Sequence, residues 1–276
     1  MGRAAPRDGE RDGVTVEYEV IAVRYGTLVA RRSDLYLHWE AYGEPDGDER
    51  LDYFFYILRR GGDAIVVDTG FHPDAGERRG RTCLIHPRDA LTSLGIDPSD
   101  VSRVIVSHLH YDHIGNLDLF ARARLSVPER ELSFWTSDIA RHPQFSRHVE
   151  EAAISQLITL ERQGRVDRCD QSQELAPGIR AITVAGHSPG QQVFVVETAG
   201  HPIVLASDAA HFYEELEYDR PFGIVVNLLE MYRAYETLRD LRRELGAEVV
   251  PGHDPRVTER FEALPGSPPG LAFRLA

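Results

Sequence analysis

A mixed α/β (α+β) fold is what this chain of 276 residues predicts, on three observations. Short β-branched and aromatic runs alternate with segments of helical apolar spacing. Glycines and prolines punctuate them. Polar motifs gather where strands end, the place where the loops of such a fold collect.

Taken in order, Val14–Val23 and Leu51–Leu58 read as strands. Gly61-Gly62 turns the second into Ala64–Val67, a hairpin that ends at Asp68-Thr69-Gly70. Pro87–Leu94 is a short helix closed by Gly95 in a C-terminal cap position. Arg103–Val106 is a strand. Phe145, Val149, Ala153, Leu157 and Leu160 recur at helical spacing, which predicts a helix over Gln144–Gln163 with one apolar face. Ile179–Val184 is a strand, and Val193–Glu197 with Ile203–Ala206 forms a second hairpin, ending at Ser207-Asp208-Ala209. Leu228–Leu245 has helical spacing and Ala247–Val250 is the last strand. Two hairpins that each deliver an aspartate at a strand end suggest a duplicated half. No linker interrupts the pattern, so residues 14–262 read as a single domain. It is preceded by a polar, disordered leader over 1–13 and followed by an extended C-terminal tail over 263–276.

Composition narrows the function. The net charge is −13, and all 31 basic residues are arginine. No basic run tracks a phosphate backbone, which argues against nucleic acid, and the absence of lysine excludes a lysine Schiff base. The acidity also disfavours polyanionic substrates unless a local arginine pocket overrides it. No apolar run reaches membrane-spanning length, and the N-terminus lacks a signal-peptide core. The two cysteines, Cys83 and Cys169, make no disulfide framework. A cytoplasmic protein with a small-molecule substrate is expected, with no membrane or nucleic-acid partner.

The chemistry is concentrated in His108-Leu109-His110-Tyr111-Asp112-His113, directly after the strand ending at Val106. Alternation in an extended chain points His108, His110 and Asp112 one way, and a turn at Asp112-His113 brings His113 back. Imidazole nitrogen and carboxylate oxygen together suit zinc and similar divalent ions. His187, Asp208 and His253 also stand where strands give way to loops, and Gly186 and Gly252 before two of them permit close backbone approach.

This series, His-x-His-x-Asp-His, then Gly-His, then Asp, then Gly-His, resembles the metallo-β-lactamase superfamily over residues 14 to 262. The resemblance implies a four-layer αββα sandwich with two divalent metals, zinc foremost, at one edge of the paired sheets. By position, His108, His110 and His187 would hold one metal. Asp112, His113 and His253 would hold the other, with Asp208 bridging. Asp68 matches a position that orients ligands. His108-Leu-His-Tyr-Asp-His-Ile-Gly115-Asn116, Ser207-Asp208-Ala209 and Pro251-Gly-His-Asp254 are most similar to the N-acyl homoserine lactonase group. His110 departs from the flavodiiron pattern, and the chain has no room for the extra domains of glyoxalase II or ribonuclease relatives.

The implied reaction is lactone ring opening by a metal-bridging hydroxide, with Asp112 passing a proton to the leaving oxygen. Thioesters, amides and phosphodiesters are the alternative substrates. Many of these lactonases place a tyrosine three residues after the bridging aspartate; this chain has His211 there and Tyr213 two positions on, so both are candidates for the catalytic donor. Phe134, Trp135, Phe212, Tyr213, Phe222 and Ile224 are candidate pocket residues, and the loop holding His72 and His86 is a candidate cover. Related lactonases are often dimers, so the resemblance extends to a homodimer.

Overall fold

Alternation along the strands decides the architecture. In the strand Glu19–Arg31, Val20 and Ala22 join one buried apolar cluster while Ile21, Val23 and Tyr25 join another. Phe54, Tyr56 and Leu58 separate in the same way from Tyr53, Phe55 and Ile57 in Asp48–Arg60. In Gln192–Val196, Phe194 and Val196 face the cluster of Val20, while Val193 and Val195 face a third. A sheet buried on both faces needs cover on both, and three apolar clusters separate four layers. The computed structural model, which describes residues 16–169 and 172–276, has this αββα arrangement.

Among the described residues the larger sheet has nine strands and the smaller five. In the larger sheet the hairpin Asp48–Arg60/Asp63–Val67 passes by a parallel crossover to Arg103–Ile105. In the smaller, the hairpin Gln192–Val196/Ile203–Ser207 passes by a parallel crossover to Glu248–Pro251. The two halves therefore share a plan. Each brings its metal-type residues to the carboxyl ends of its strands, where crossovers leave the sheet. The helix Leu228–Leu245 covers the smaller sheet through Ala234, Leu238 and Leu241. Leu132, Leu157 and Leu160, on the helices Glu129–Trp135 and Glu151–Arg162, cover the larger.

The helix Leu228–Leu245 and its Gly246 cap, at φ 61°, follow the periodicity closely. Two elements differ from expectation. The first strand runs Glu19–Arg31 instead of Val14–Val23, because its ladder with Asp48–Arg60 extends from Glu19↔Arg59 to Arg31↔Asp48. Pairing, not local composition, sets its length. The helix expected over Gln144–Gln163 is broken into Pro143–Ser146 and Glu151–Arg162. At the break, the His148 carbonyl accepts the Tyr111 N–H at 2.9 Å, and the carbonyls of Arg147 and Val149 accept from the Arg79 guanidinium. These bonds to the motif loop and its neighbour replace helical ones.

The leader over 1–13 lies outside the described residues. Within 263–276, Ala272–Arg274 adds a strand beside Glu19–Arg31 and buries Phe273. No described helix is long and apolar enough to cross a membrane.

Candidate metal centre

The motif loop leaves the strand Arg103–Ile105 at a fixed angle because Asp68, at the end of the neighbouring strand, seizes it. Asp68 adopts φ 60°, and its carboxylate accepts the Ser107 N–H at 2.8 Å and the Ser107 hydroxyl at 2.7 Å. The same carboxylate lies 2.8 Å from His113 Nδ1. Holding that nitrogen fixes the imidazole and turns Nε2 inward. Asp68 thus takes the orienting place the sequence suggested.

Similar anchors hold the other rings. His187 Nδ1 lies 2.8 Å from the Ile224 carbonyl, and His253 Nδ1 lies 2.9 Å from the Asp52 carbonyl. Gly186, at φ 135°, lets the His187 loop press on the helix Leu228–Leu245, since a Cβ there would stand 2.5 Å from Met231 Cα. At Gly252 a Cβ would stand 2.7 Å from the Ser207 carbonyl and 3.0 Å from Asp208 Oδ1. Only glycine brings His253 so close to the aspartate.

The result is one buried cluster assembled from both halves. His108, His110 and His187 form one donor group, and Asp112, His113 and His253 form another. His110 Nδ1 and His187 Nε2 are 2.8 Å apart. Asp208 lies between the groups. Its Oδ1 is 3.2 Å from His113 Nε2 and 3.1 Å from His253 Nε2, while its Oδ2 is 3.4 Å from His187 Nε2 and 3.9 Å from His108 Nε2. Each carboxylate oxygen therefore faces a different histidine group.

The donor set fits divalent ions on its own chemistry. The Nε2 atom of His108 is buried and makes no hydrogen bond, an arrangement that costs free energy unless something accepts its lone pair. Burial, then the surrounding imidazoles, hold His108 and His110 well below the ordinary histidine range, so both are neutral imidazoles at pH 7. Burial opposes the charge on Asp208, but His253, His113 and His211 outweigh it and hold the carboxylate well below its usual range.

His211 is fully part of this cluster. Its Nε2 lies 3.1 Å from Asp208 Oδ2, its Nδ1 lies 3.3 Å from Glu215 Oε1, and its ring stacks on Phe222 at 3.7 Å. Burial works against protonation here, yet Asp208 and Glu215 together raise it to about 9. Tyr213, the other candidate for the donor role, lies elsewhere. Its ring packs in the core between the sheets, under the guanidiniums of Arg256 and Arg260 at 5.0 and 4.1 Å, and it does not line the cleft over the donor groups. The backbone turns between the two residues because Glu215 accepts the N–H groups of both His211 and Phe212.

Of the candidate pocket residues, Phe222 and Ile224 line the cleft. Phe212 is buried against Tyr36 and Phe222, and Phe134 packs on Phe145. Trp135 touches His110, ring to ring at 5.4 Å, but opens onto a separate groove. His72 and His86 cap the helices Pro73–Arg78 and Pro87–Ser93; the cover of the cleft comes instead from Arg79 and Arg81 of the same loop.

Sequence reasoning missed two buried carboxylates. Glu215 also accepts the Tyr235 hydroxyl at 2.6 Å. Glu131 accepts the Leu109 and Gly190 N–H groups, the Ser188 hydroxyl and the Trp135 indole N–H, tying the His110 loop to the His187 loop. On the sequence, Glu131 is one charge among many on a short helix. Its spacing from Trp135 is the single available hint. Replacing Glu131 with alanine leaves these donors unsatisfied, so we expect a loss of about 2–4 kcal/mol, read as a lowered urea midpoint.

Known proteins match this arrangement. The model of the metallo-beta-lactamase superfamily matches residues 50–253. The chain belongs to that superfamily. It is 27% identical over 236 residues to the N-acyl homoserine lactonase AiiB of Agrobacterium fabrum, covering 78% of this chain and 83% of the relative. A solved quorum-quenching N-acyl homoserine lactone lactonase superposes with a TM-score of 0.76 at 22% identity, over 91% of this chain and 98% of its own. AidC, described as a dizinc quorum-quenching lactonase in complex with a product, superposes at 0.69 with 18% identity, over 94% of each chain. At these identities the solved structures speak for the shared metallo-β-lactamase fold.

Proposed function

We propose that the protein is a metal-dependent hydrolase that opens the ring of an N-acyl homoserine lactone or a similar lactone. The observation that carries this reading is Asp208, whose two oxygens face two separate histidine groups. His108, His110 and His187 would hold one divalent ion, and Asp112, His113 and His253 a second, with Asp208 shared. Zinc suits these donors and is the metal named for AidC. When bound, such ions polarise a carbonyl and bring the pKa of water towards neutrality.

The chain's own residues do the rest. The cleft, about 220 Å³ in volume, admits a small molecule, and Leu28, Leu51, Phe222 and Ile224 offer it an apolar wall. Asp112 lies at the floor, where its carboxylate can carry a proton to the oxygen that leaves as the ring opens. His211 stands where many lactonases have a tyrosine. Its Nδ1 faces Glu215 and its Nε2 faces Asp208, so as a doubly protonated ring it would offer the Nε2 proton to a substrate oxygen once bound ions engage that carboxylate. The curated relative AiiB, a lactonase at 27% identity, supports the substrate class. The two free cysteines agree with a reducing compartment such as the cytoplasm. A homodimer is proposed from the habit of related lactonases.

The test pairs elemental analysis with a panel of acyl homoserine lactones, simple γ- and δ-lactones, thioesters and bis(nitrophenyl) phosphate. Two ions per chain and lactone turnover are expected. Turnover confined to thioesters or phosphodiesters would overturn the lactonase reading. In the same assay, His211→Gln should lower kcat by about 10²–10³-fold, as removal of one oxyanion donor does elsewhere, with both metals retained. Loss of a metal in that variant would make His211 a ligand instead.

A further inference from the structure

Opening a neutral ring leaves one wall of the cleft without a use. Besides the apolar residues, Arg79, Arg81, Arg147 and His148 line the cleft. The carboxylates that line the cleft are Asp112 and Asp208, both already committed to the donor groups. Arg79 is neutralised by Glu150. Among the described residues, neither Arg81 nor Arg147 has a carboxylate within ion-pair distance. In a chain of net charge −13, these two guanidiniums without a carboxylate partner line the same cleft.

Arg81 is held in place, whereas Arg147 is exposed and makes one side-chain bond. Arg81 Nε donates to the Tyr53 hydroxyl at 3.0 Å and the Tyr111 hydroxyl at 3.1 Å, and one terminal nitrogen donates to the Arg79 carbonyl. Its other terminal nitrogen has no acceptor among the described residues. The Tyr53 ring lies 5.0 Å from that of His253. Arg147 Nε donates to His148 Nε2 at 3.0 Å, and the His148 ring lies 5.4 Å from His110. Each guanidinium thus stands one residue behind a different donor group. A half-buried guanidinium fixed by two tyrosines, with donors left over, has the planar geometry that recognises a carboxylate.

We propose that the substrate carries a carboxylate in addition to the ring to be opened, and that Arg81 and Arg147 bind it. This rests on the lactonase reading of the same cleft. The apolar wall then takes the aliphatic chain, and the cationic wall takes its charged end.

The experiment compares N-(5-carboxypentanoyl)homoserine lactone with its methyl ester, using metal-loaded enzyme, Arg81→Gln and Arg147→Gln. The ratio of kcat/KM values, acid over ester, is the readout, because a purely structural loss lowers both substrates together. We expect a ratio of about 10 or more in the parent protein and a fall of about tenfold in each variant. A parent ratio near one, or a ratio unchanged in both variants, overturns the proposal. Should neither lactone turn over, the lactonase reading fails, and calorimetric titration decides the charge site separately. There hexanoate should bind about tenfold more tightly than hexanamide, and the difference should vanish in the Arg81→Gln/Arg147→Gln double variant. Equal binding of the acid and the amide to the parent protein overturns the site.

Discussion

Asp208→Asn strips the protein of metal and activity together. The parent carboxylate presents one oxygen to His113 and His253 and the other to His187 and His108. An asparagine keeps the shape but has one oxygen and one NH₂ group, so either histidine group loses its anionic neighbour and meets a donor instead. The NH₂ cannot ligate, and its protons point at buried imidazole lone pairs. We expect metal content to fall from two ions to fewer than one per chain. The kcat should drop by at least about a thousandfold, beyond the effect of losing a single oxyanion donor. His110→Ala should do the same, since it removes the nitrogen 2.8 Å from His187 Nε2. Elemental analysis and lactone turnover check both variants, and full activity in either would refute the site as drawn.

Much of this site was legible because its residues are rare types standing at strand ends. His108 to His113, His187, Asp208 and His253 need no tertiary contact to be recognised as a set. The hairpins ending at Asp68 and Asp208 could also be read, because glycine turns and β-branched runs are local signals. What stayed hidden depends on contacts far apart in the chain. Glu131 gains its meaning from Ser188 and Gly190, which the fold brings to it from another strand end. The break between Ser146 and Glu151 exists because Tyr111 and Arg79 take the carbonyls there, and apolar spacing says nothing of such competition. Tyr213 stood beside His211 as an alternative catalytic donor. The bonds from the His211 and Phe212 N–H groups to Glu215 turn the chain so that only His211 faces inward.

Metal removal should leave a protein whose stability peaks near pH 6.5, whereas the loaded protein should show no such peak. The sign follows from two sets of histidines. His108, His110 and His187 lie well below the ordinary value of 6.5, held there first by burial. Unfolded, they bind protons more readily, so the stability they contribute is present above pH 6.5 and is lost as the pH falls. His113 goes the other way, held against burial well above 6.5 by Asp208, Asp68 and Asp112, and so does His211. Asp208 and Glu215 outweigh burial and raise it from 6.5 to about 9. Its contribution is present below 6.5 and is lost as the pH climbs through about 9. The shift corresponds to about 3 kcal/mol, enough to lower the melting temperature by several degrees between pH 6.5 and 9. Bound divalent ions flatten the alkaline limb, because they engage Asp208 and leave Glu215 as the one carboxylate that holds the proton on His211. On the acid limb they compete with protons for the same nitrogens, so the loaded protein should hold its melting temperature until ligand protonation releases the ions. Thermal melts of chelated and zinc-loaded protein across pH 5 to 9 measure both limbs. A flat profile for the chelated protein would mean that these rings are not coupled through Asp208.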